Sequence, residues 1–296
     1  MSGREANEAR IFTIKKTVIQ YLYLGRVGYD EGLRLQAEIA ELRAQGRVEN
    51  VLLLLEHPPV LTLGRNADRG NVLASEELLA RRGVTVHEIN RGGDVTYHGP
   101  GQLVGYPIFD LRSLRNPTGA RMGPVDFVRL MEEALIRLCG GFGVRAARIA
   151  GLTGVWCGGA LEAGGESGPE RKIGAIGIHV ARGITSHGFA FNITTDLRDF
   201  GLIVPCGIPD HAVTSLEQEM PEPKALPTLE AVAHQAALQF GLVFDQQVLA
   251  VESLAALRAK VLPADKPPEF PAEDTPLQVP AEVERLKHKH GHPIQA

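Results

Sequence analysis

Any fold for this chain must accommodate the stretch from Lys172 to Gly207, KIGAIGIHVARGITSHGFAFNITTDLRDFGLIVPCG. KIGAIGIHV and ITSHGFAFNI are rich in β-branched and aromatic residues, and Ala181-Arg182-Gly183 divides them. The spacing predicts two paired strands and then an irregular return ending at Cys206. Gly174, Ala175, Gly177, Gly188 and Ala190 interrupt both strands with small residues. These lower strand propensity, and glycines inside strands mark places where a ligand or another backbone comes close. Cys206 lies between Pro205 and Gly207, whose lack of bulk leaves the thiol unshielded. An exposed, fixed thiol is a candidate nucleophile, weighed against the commoner role of free cysteine as a small buried hydrophobe. Cys139, closing an amphipathic helical pattern, and Cys157, beside the single tryptophan, read as packing residues.

Three cysteines without CxxC spacing argue against a disulfide framework and against a structural zinc site. With 296 residues, 44% hydrophobic and 22% charged, the composition is that of an ordinary globular protein with a sizeable core. No apolar run reaches the roughly 18 to 20 residues needed to cross a bilayer, and MSGREANEAR has no apolar stretch of the secretory kind. A cytoplasmic location is the expectation. The net charge of -4 gives no general attraction for nucleic acid, so neither nucleic acid nor membrane is expected as a partner.

Taken in order, IFTIKKTVIQYLYLG predicts an opening strand, and Asp30 is placed to cap a helix that Gly46 stops. VENVLLLLEHPPVLTLG predicts a buried strand, a turn at Pro58-Pro59 and a second strand. SEELLARRG predicts a short capped helix and VTVHEIN another strand. RGGDVTYHGPGQLVGYPI, from Arg91 to Ile108, then crowds Arg91, Thr96, Tyr97, His98 and Gln102 between glycines, the pattern of a binding loop. It has neither GxxxxGK[ST] nor a GxGxxG opening a helix, so nucleotide binding is disfavoured. A long helix follows Pro124, burying Phe127, Leu130, Met131, Ala134, Leu135 and Leu138. GVWCGG and KIGAIGIHV read as strands joined by a loop over 160–171, and TLEAVAHQAALQFGLVF as a last helix and strand. Beyond about residue 256 the text is dense in proline and charge, an extended appendage; His288, His290 and His292 lie there without a second cluster to make a metal site.

RGGDVTYHGPGQLVGYP, KIGAIGIHVARGITSHGFAFNI and DLRDFGLIVPCG together resemble the lipoyl(octanoyl) transferase family over roughly residues 12 to 250. The resemblance implies a single α/β (α+β) domain over 10–255, a mixed β-sheet with packed helices of the biotin/lipoate protein ligase type, with 256–296 as an extension. It implies an octanoyltransferase that takes its acyl group from octanoyl-acyl carrier protein. Cys206 would hold that group as a thioester, and Lys172 would be its partner. The acceptors would be lysines on lipoyl domains of 2-oxoacid dehydrogenase E2 subunits and on the glycine cleavage H protein. Arg91, Gly92, Gly93, Asp94, Val95, Thr96, Tyr97 and His98, with Ala175, Ile176, Gly177, Gly188, Phe189 and Ala190, would line the acyl pocket. No cofactor or metal is implied. Larger residues at Gly177 or Gly188 would fill the slot, and the backbone amides of Gly207, Gly92 or Gly93 would hold an oxyanion. Two alternatives remain: an ATP-dependent ligase of the lipoate type, and a non-catalytic protein that only holds a lipoyl or carrier domain.

Overall fold

A computed structural model describes residues 17–159, 168–207, 211–222 and 226–259. Residues 11–16 of the expected first strand, most of the 160–171 loop and the tail from 260 lie outside these. The described elements are β1 (Val18–Arg26), α1 (Tyr29–Ala44), β2 (Asn50–Glu56), β3 (Val60–Leu63), α2 (Glu76–Arg81), β4 (Thr85–Glu88), β5 (Val95–His98), β6 (Gln102–Ile108), α3 (Pro124–Gly141), β7 (Ala147–Ile149), β8 (Leu152–Cys157), β9 (Arg171–Ala181), β10 (Ile184–Asn192), β11 (Ala212–Val213), α4 (Leu216–Glu219), α5 (Leu229–Phe244), β12 (Gln247–Ala250) and α6 (Leu254–Ala259). This is the expected mixed α/β architecture.

The large sheet has the order β12-β1-β2-β6-β10-β9-β8-β7, with β11 paired to β9; β4-β3-β5 form a small second sheet. In β2, alternate residues serve opposite faces: Leu52 and Leu54 join the core under α3 and α5, while Val51, Leu53 and Leu55 join the one under α1 and α6. A strand covered on both sides reads as a continuous apolar run, which explains VLLLL. The β9–β10 hairpin turns at Arg182 and Gly183, both with positive φ, the two-residue turn that suits strand twist. Phe189, Phe191 and Ile173 face α3 and α5.

Several local expectations need correction. Helix α1 begins after Gly28 without a side-chain cap, and Asp30 sits in its first turn, where a carboxylate suits the positive end of the helix. Helix α5 continues through GLVF to Phe244, where a strand was expected; a side chain at Gly241 would strike Val248, so the glycine admits β12 beneath the helix. Arg91–Ile108 is only partly loop: Val95–His98 and Gln102–Ile108 are strands in different sheets, so the segment crosses from one sheet to the other. The expected boundary at 255 falls inside α6, whose Leu257 is buried and whose Arg258 pairs with Glu38. No helix among the described residues is long and apolar enough to cross a membrane.

Candidate active site

A cavity of about 230 Å³ opens between the large sheet and the small one. Its walls are Ala175, Ile176 and Gly177 of β9, His187, Gly188, Phe189 and Ala190 of β10, Thr96 and His98 of β5, Val104 and Tyr106 of β6, the loop Arg91–Asp94, Tyr29 of α1 and residues 151–153; Lys172 and Cys206 both border it. Ala175 and Ala190 pair directly across the hairpin, leaving a shallow face where larger side chains would fill the space.

Lys172 reaches this cavity through an irregularity in β9. Val155 pairs with Gly174, yet Trp156 pairs with Lys172, so β9 carries one extra residue there. Ile173 is in the core, and Gly174 meets Val155, Leu135 and Phe191 on the same side. Two successive residues therefore face the core, as in a β-bulge, and the parity of the strand changes. Lys172 consequently shares the cavity face with Ala175 and Gly177 rather than the core face with Gly174. Its stem passes Gly154, where a Cβ would lie 3.4 Å from Lys172 Cε and 2.6 Å from Gly174 O. The Gly154 N–H donates to Glu132 Oε1 at 3.0 Å, fixing β8 to α3.

Cys206 occupies a left-handed conformation (φ 57°, ψ 18°), which is sparsely populated for a residue with a side chain. Its turn is tied down on both sides: Val204 N–H donates to Asn71 O at 2.7 Å, and Gly207 N–H to Val204 O at 3.0 Å. Asn71 Nδ2 donates to Asp94 Oδ2 at 2.6 Å, and a side chain at Gly207 would strike that carboxylate. The thiol is half-buried, not freely exposed as the turn alone suggests, while Cys139 and Cys157 are buried. Burial pushes the Cys157 thiol up to about 12, and that of Cys139 well above its ordinary value. Neither is a plausible thiolate.

Residues 28–241 match the family described as lipoyl protein ligase A/B catalytic domain. An octanoyltransferase of Acidobacterium capsulatum is 62% identical over 239 residues, 80% of this chain and 94% of that one. One from Koribacter versatilis is 49% identical over 275 residues, covering 93% and 99%. The chain belongs to the lipoyl protein ligase A/B family. Among solved structures, the bipartite lipoate protein ligase of Thermoplasma acidophilum superposes with a TM-score of 0.60 at 15% identity, over 82% of this chain and 90% of that one. Lipoate-protein ligase A bound with ATP gives 0.58 at 14%, over 81% and 91%. At such identities the likeness concerns the fold, and it agrees with the ligase-type architecture expected.

Most of the residues singled out from the family resemblance meet at this cavity, but two do not. Val95 and Tyr97 are buried on the other side of β5, in the core of the small sheet, because alternate strand residues face opposite ways. Tyr97 instead donates its hydroxyl to Asp199 at 2.8 Å. A Cβ at Gly177 would lie 2.6 Å from Gly92 O, and one at Gly188 would strike Gly105 and Pro107; bulk at either would displace neighbouring backbone, not occupy the slot. The amides of Gly207 and Gly92 are already committed, the latter to Ile178 O at 3.0 Å, which removes them as oxyanion donors. Arg91 is buried and donates to Thr62 O at 2.6 Å, Thr62 Oγ1 at 2.9 Å and Gly92 O at 3.0 Å. Burial lowers its pKa, opposed by the fields of Tyr29, Cys206, Asp94 and Tyr106.

The lining also includes Tyr29, Val104, Tyr106, residues 151–153 and His187, which the motifs did not single out. His187 adjoins Gly188 in the very motif read from sequence, and Tyr106 lies near the end of another; Tyr29 comes from α1 with no local signal. Tyr106 Oη lies 2.6 Å from His57 Nε2, and His57 Nδ1 lies 2.6 Å from Val27 O. A proton on Nδ1 satisfies the carbonyl and leaves Nε2 to accept from the tyrosine. Burial lowers His57 to about 4, His98 to about 3 and His187 to about 4. These imidazoles are neutral near pH 7; His98 and His187 serve as dipolar groups of the cavity wall, and His57 stands behind Tyr106.

Proposed function

We propose that this chain is an octanoyltransferase of protein lipoylation, working in the cytoplasm through an acyl-Cys206 intermediate. The observation that carries the reading is that one cavity joins a fixed thiol and a buried lysine to a narrow slot walled by Ala175, Gly177, Gly188 and Ala190. At about 230 Å³ it is smaller than the roughly 300–1,000 Å³ of sites for drug-sized ligands, and it suits one slender chain. Each buried methylene contributes about 0.8 kcal/mol, so an eight-carbon chain gains several kcal/mol of gross binding.

In the first half-reaction the Cys206 thiolate attacks the carbonyl carbon of octanoyl-acyl carrier protein, and the carrier thiol leaves. An ordinary cysteine, with pKa about 8.5, is mostly protonated at neutral pH, and a neighbouring cation favours the thiolate. Lys172 supplies that cation, with Arg91 as a second source of positive field. In the second half-reaction a lysine amine of an acceptor attacks the thioester, forming the amide and releasing Cys206. The acceptors are lipoyl domains of 2-oxoacid dehydrogenase E2 subunits and the glycine cleavage H protein. Of the glycines considered for the oxyanion, Gly93 is the remaining candidate.

The test incubates the protein with octanoyl-acyl carrier protein and a lipoyl domain in the absence of ATP. Octanoylation of the domain lysine is expected. A requirement for ATP with free octanoate as donor would establish the ligase reading, and binding of the domain without transfer would establish the non-catalytic one.

A further inference from the structure

We propose that Trp156 is the positioning residue for Lys172: its indole face binds the ammonium and fixes it at the cavity wall that Cys206 shares. The proposal rests on the Cys206/Lys172 reading above and adds how the lysine is held. Lys172 Nζ lies 4.6 Å from the Trp156 ring centroid, inside the roughly 6 Å at which a ring face attracts a cation. The bulge in β9 makes these two residues direct cross-strand partners; with regular pairing, Trp156 would meet Ile173 instead. Gly154 keeps β8 clear of the lysine stem.

The surroundings leave the indole as the group matched to this charge. Lys172 is 7% exposed, and among the described residues no carboxylate lies within ion-pair distance of it. The nearby acids are committed elsewhere: Glu132 to Arg129, Arg148 and Gly154, Asp94 to Asn71, and Glu219 to Arg171. Besides Asp94, the other titratable groups along the cavity are Cys206, Arg91, His98, His187, Tyr29 and Tyr106, and His211 lies at the Trp156 ring, 5.1 Å between centroids. A buried ammonium without compensation tends to lose its proton. Trp156 is 1% exposed, and its Nε1 has no hydrogen-bond partner among the described residues. A phenylalanine would avoid that desolvation cost, so packing alone does not call for an indole. What the indole adds is the strongest π face available to a cation.

Because the chain contains a single tryptophan, fluorinated tryptophans can be placed at this position alone by biosynthetic incorporation. Mono-, di- and tetrafluorotryptophan weaken the ring face stepwise while nearly preserving its shape. The readouts are the pH profile of single-turnover acylation and of iodoacetamide alkylation at Cys206, with melting temperature recorded for each protein. The expected result is a profile that narrows stepwise: the thiol limb rises and the lysine limb falls, by about half a unit to one and a half units for the tetrafluoro protein. Trp156→Leu, if folded, should match or exceed that narrowing. Unchanged limbs across the fluorinated series, in a protein where Lys172→Met does shift the thiol limb, would overturn the role of Trp156 while leaving the dyad standing. A thiol limb unmoved by Lys172→Met would overturn both.

Discussion

Lys172 bears a heavy demand for a single side chain, because a buried ammonium is costly unless something nearby favours the charge. Its placement follows from two local facts, the extra residue in β9 and the missing side chain at Gly154. If its charge holds the Cys206 thiolate, Lys172→Met should raise the thiol pKa by about one to three units. Iodoacetamide alkylation near neutral pH would slow accordingly. Arg91, a second cation bordering the cavity, would soften the effect. Lys172→Arg keeps a cation but cannot readily give up or take a proton. That variant should still form the thioester, and it should fail in aminolysis if the lysine must also accept a proton from the incoming amine. Near-native alkylation in Lys172→Met would contradict electrostatic activation.

At the scale of elements, the site is a cavity formed by the β9–β10 hairpin and the segment Arg91–Ile108, which crosses from the small sheet to the large one, where its β6 pairs with β10. Gly177 is one place where the two touch closely, and a Cβ there would press on Gly92 O. Gly177→Ala should therefore shift the Arg91–Asp94 loop and slow acylation by about 10- to 100-fold, the order expected for a misplacement near 1 Å. The loss should be alike for hexanoyl and octanoyl donors. A loss confined to the longer donor would mean instead that the methyl group lies in the slot. The hairpin was legible in the sequence because alternation and the Arg182-Gly183 turn are local signals. The bulge was not, since it arises from the pairing of β9 with β8 through Trp156. Val95 and Tyr97 were misplaced for a related reason: read as loop, they escape the alternation that puts them in the small core. Tyr29 belongs to a helix whose own pattern says only that it is amphipathic, and the docking that brings it to the cavity is tertiary.

For the molecule as a whole, two expectations concern stability. Removing residues 260–296 should leave octanoyl transfer intact and change the melting temperature little. Ending the chain at 255 should cost about 2–5 kcal/mol, because it deletes buried Leu257 along with the Arg258–Glu38 pair. A loss of transfer in the folded 1–259 protein would assign the tail a part in the site or in partner docking. The second expectation concerns acid. His57, His98 and His187 have pKa values depressed to about 4, 3 and 4, below the unfolded value near 6.5. Between those limits the unfolded chain binds more protons than the folded one, so stability falls as pH falls. Each imidazole contributes up to about 1.4 kcal/mol per pH unit in that window, which lies largely above the range where carboxylates titrate. Urea midpoints at pH 7.5 and pH 5 should differ by an amount equivalent to several kcal/mol. Equal midpoints would mean that the buried histidines accept protons without strain.

The central claim is that Cys206 carries the acyl group. Intact mass spectrometry after incubation with octanoyl-acyl carrier protein, without an acceptor, followed by peptide mapping, tests it most directly. One octanoyl increment on the Cys206 peptide, absent in Cys206→Ala and retained in Cys139→Ser and Cys157→Ser, is the predicted result. An increment on Cys139 or Cys157, or full transfer activity in Cys206→Ala, would contradict the account.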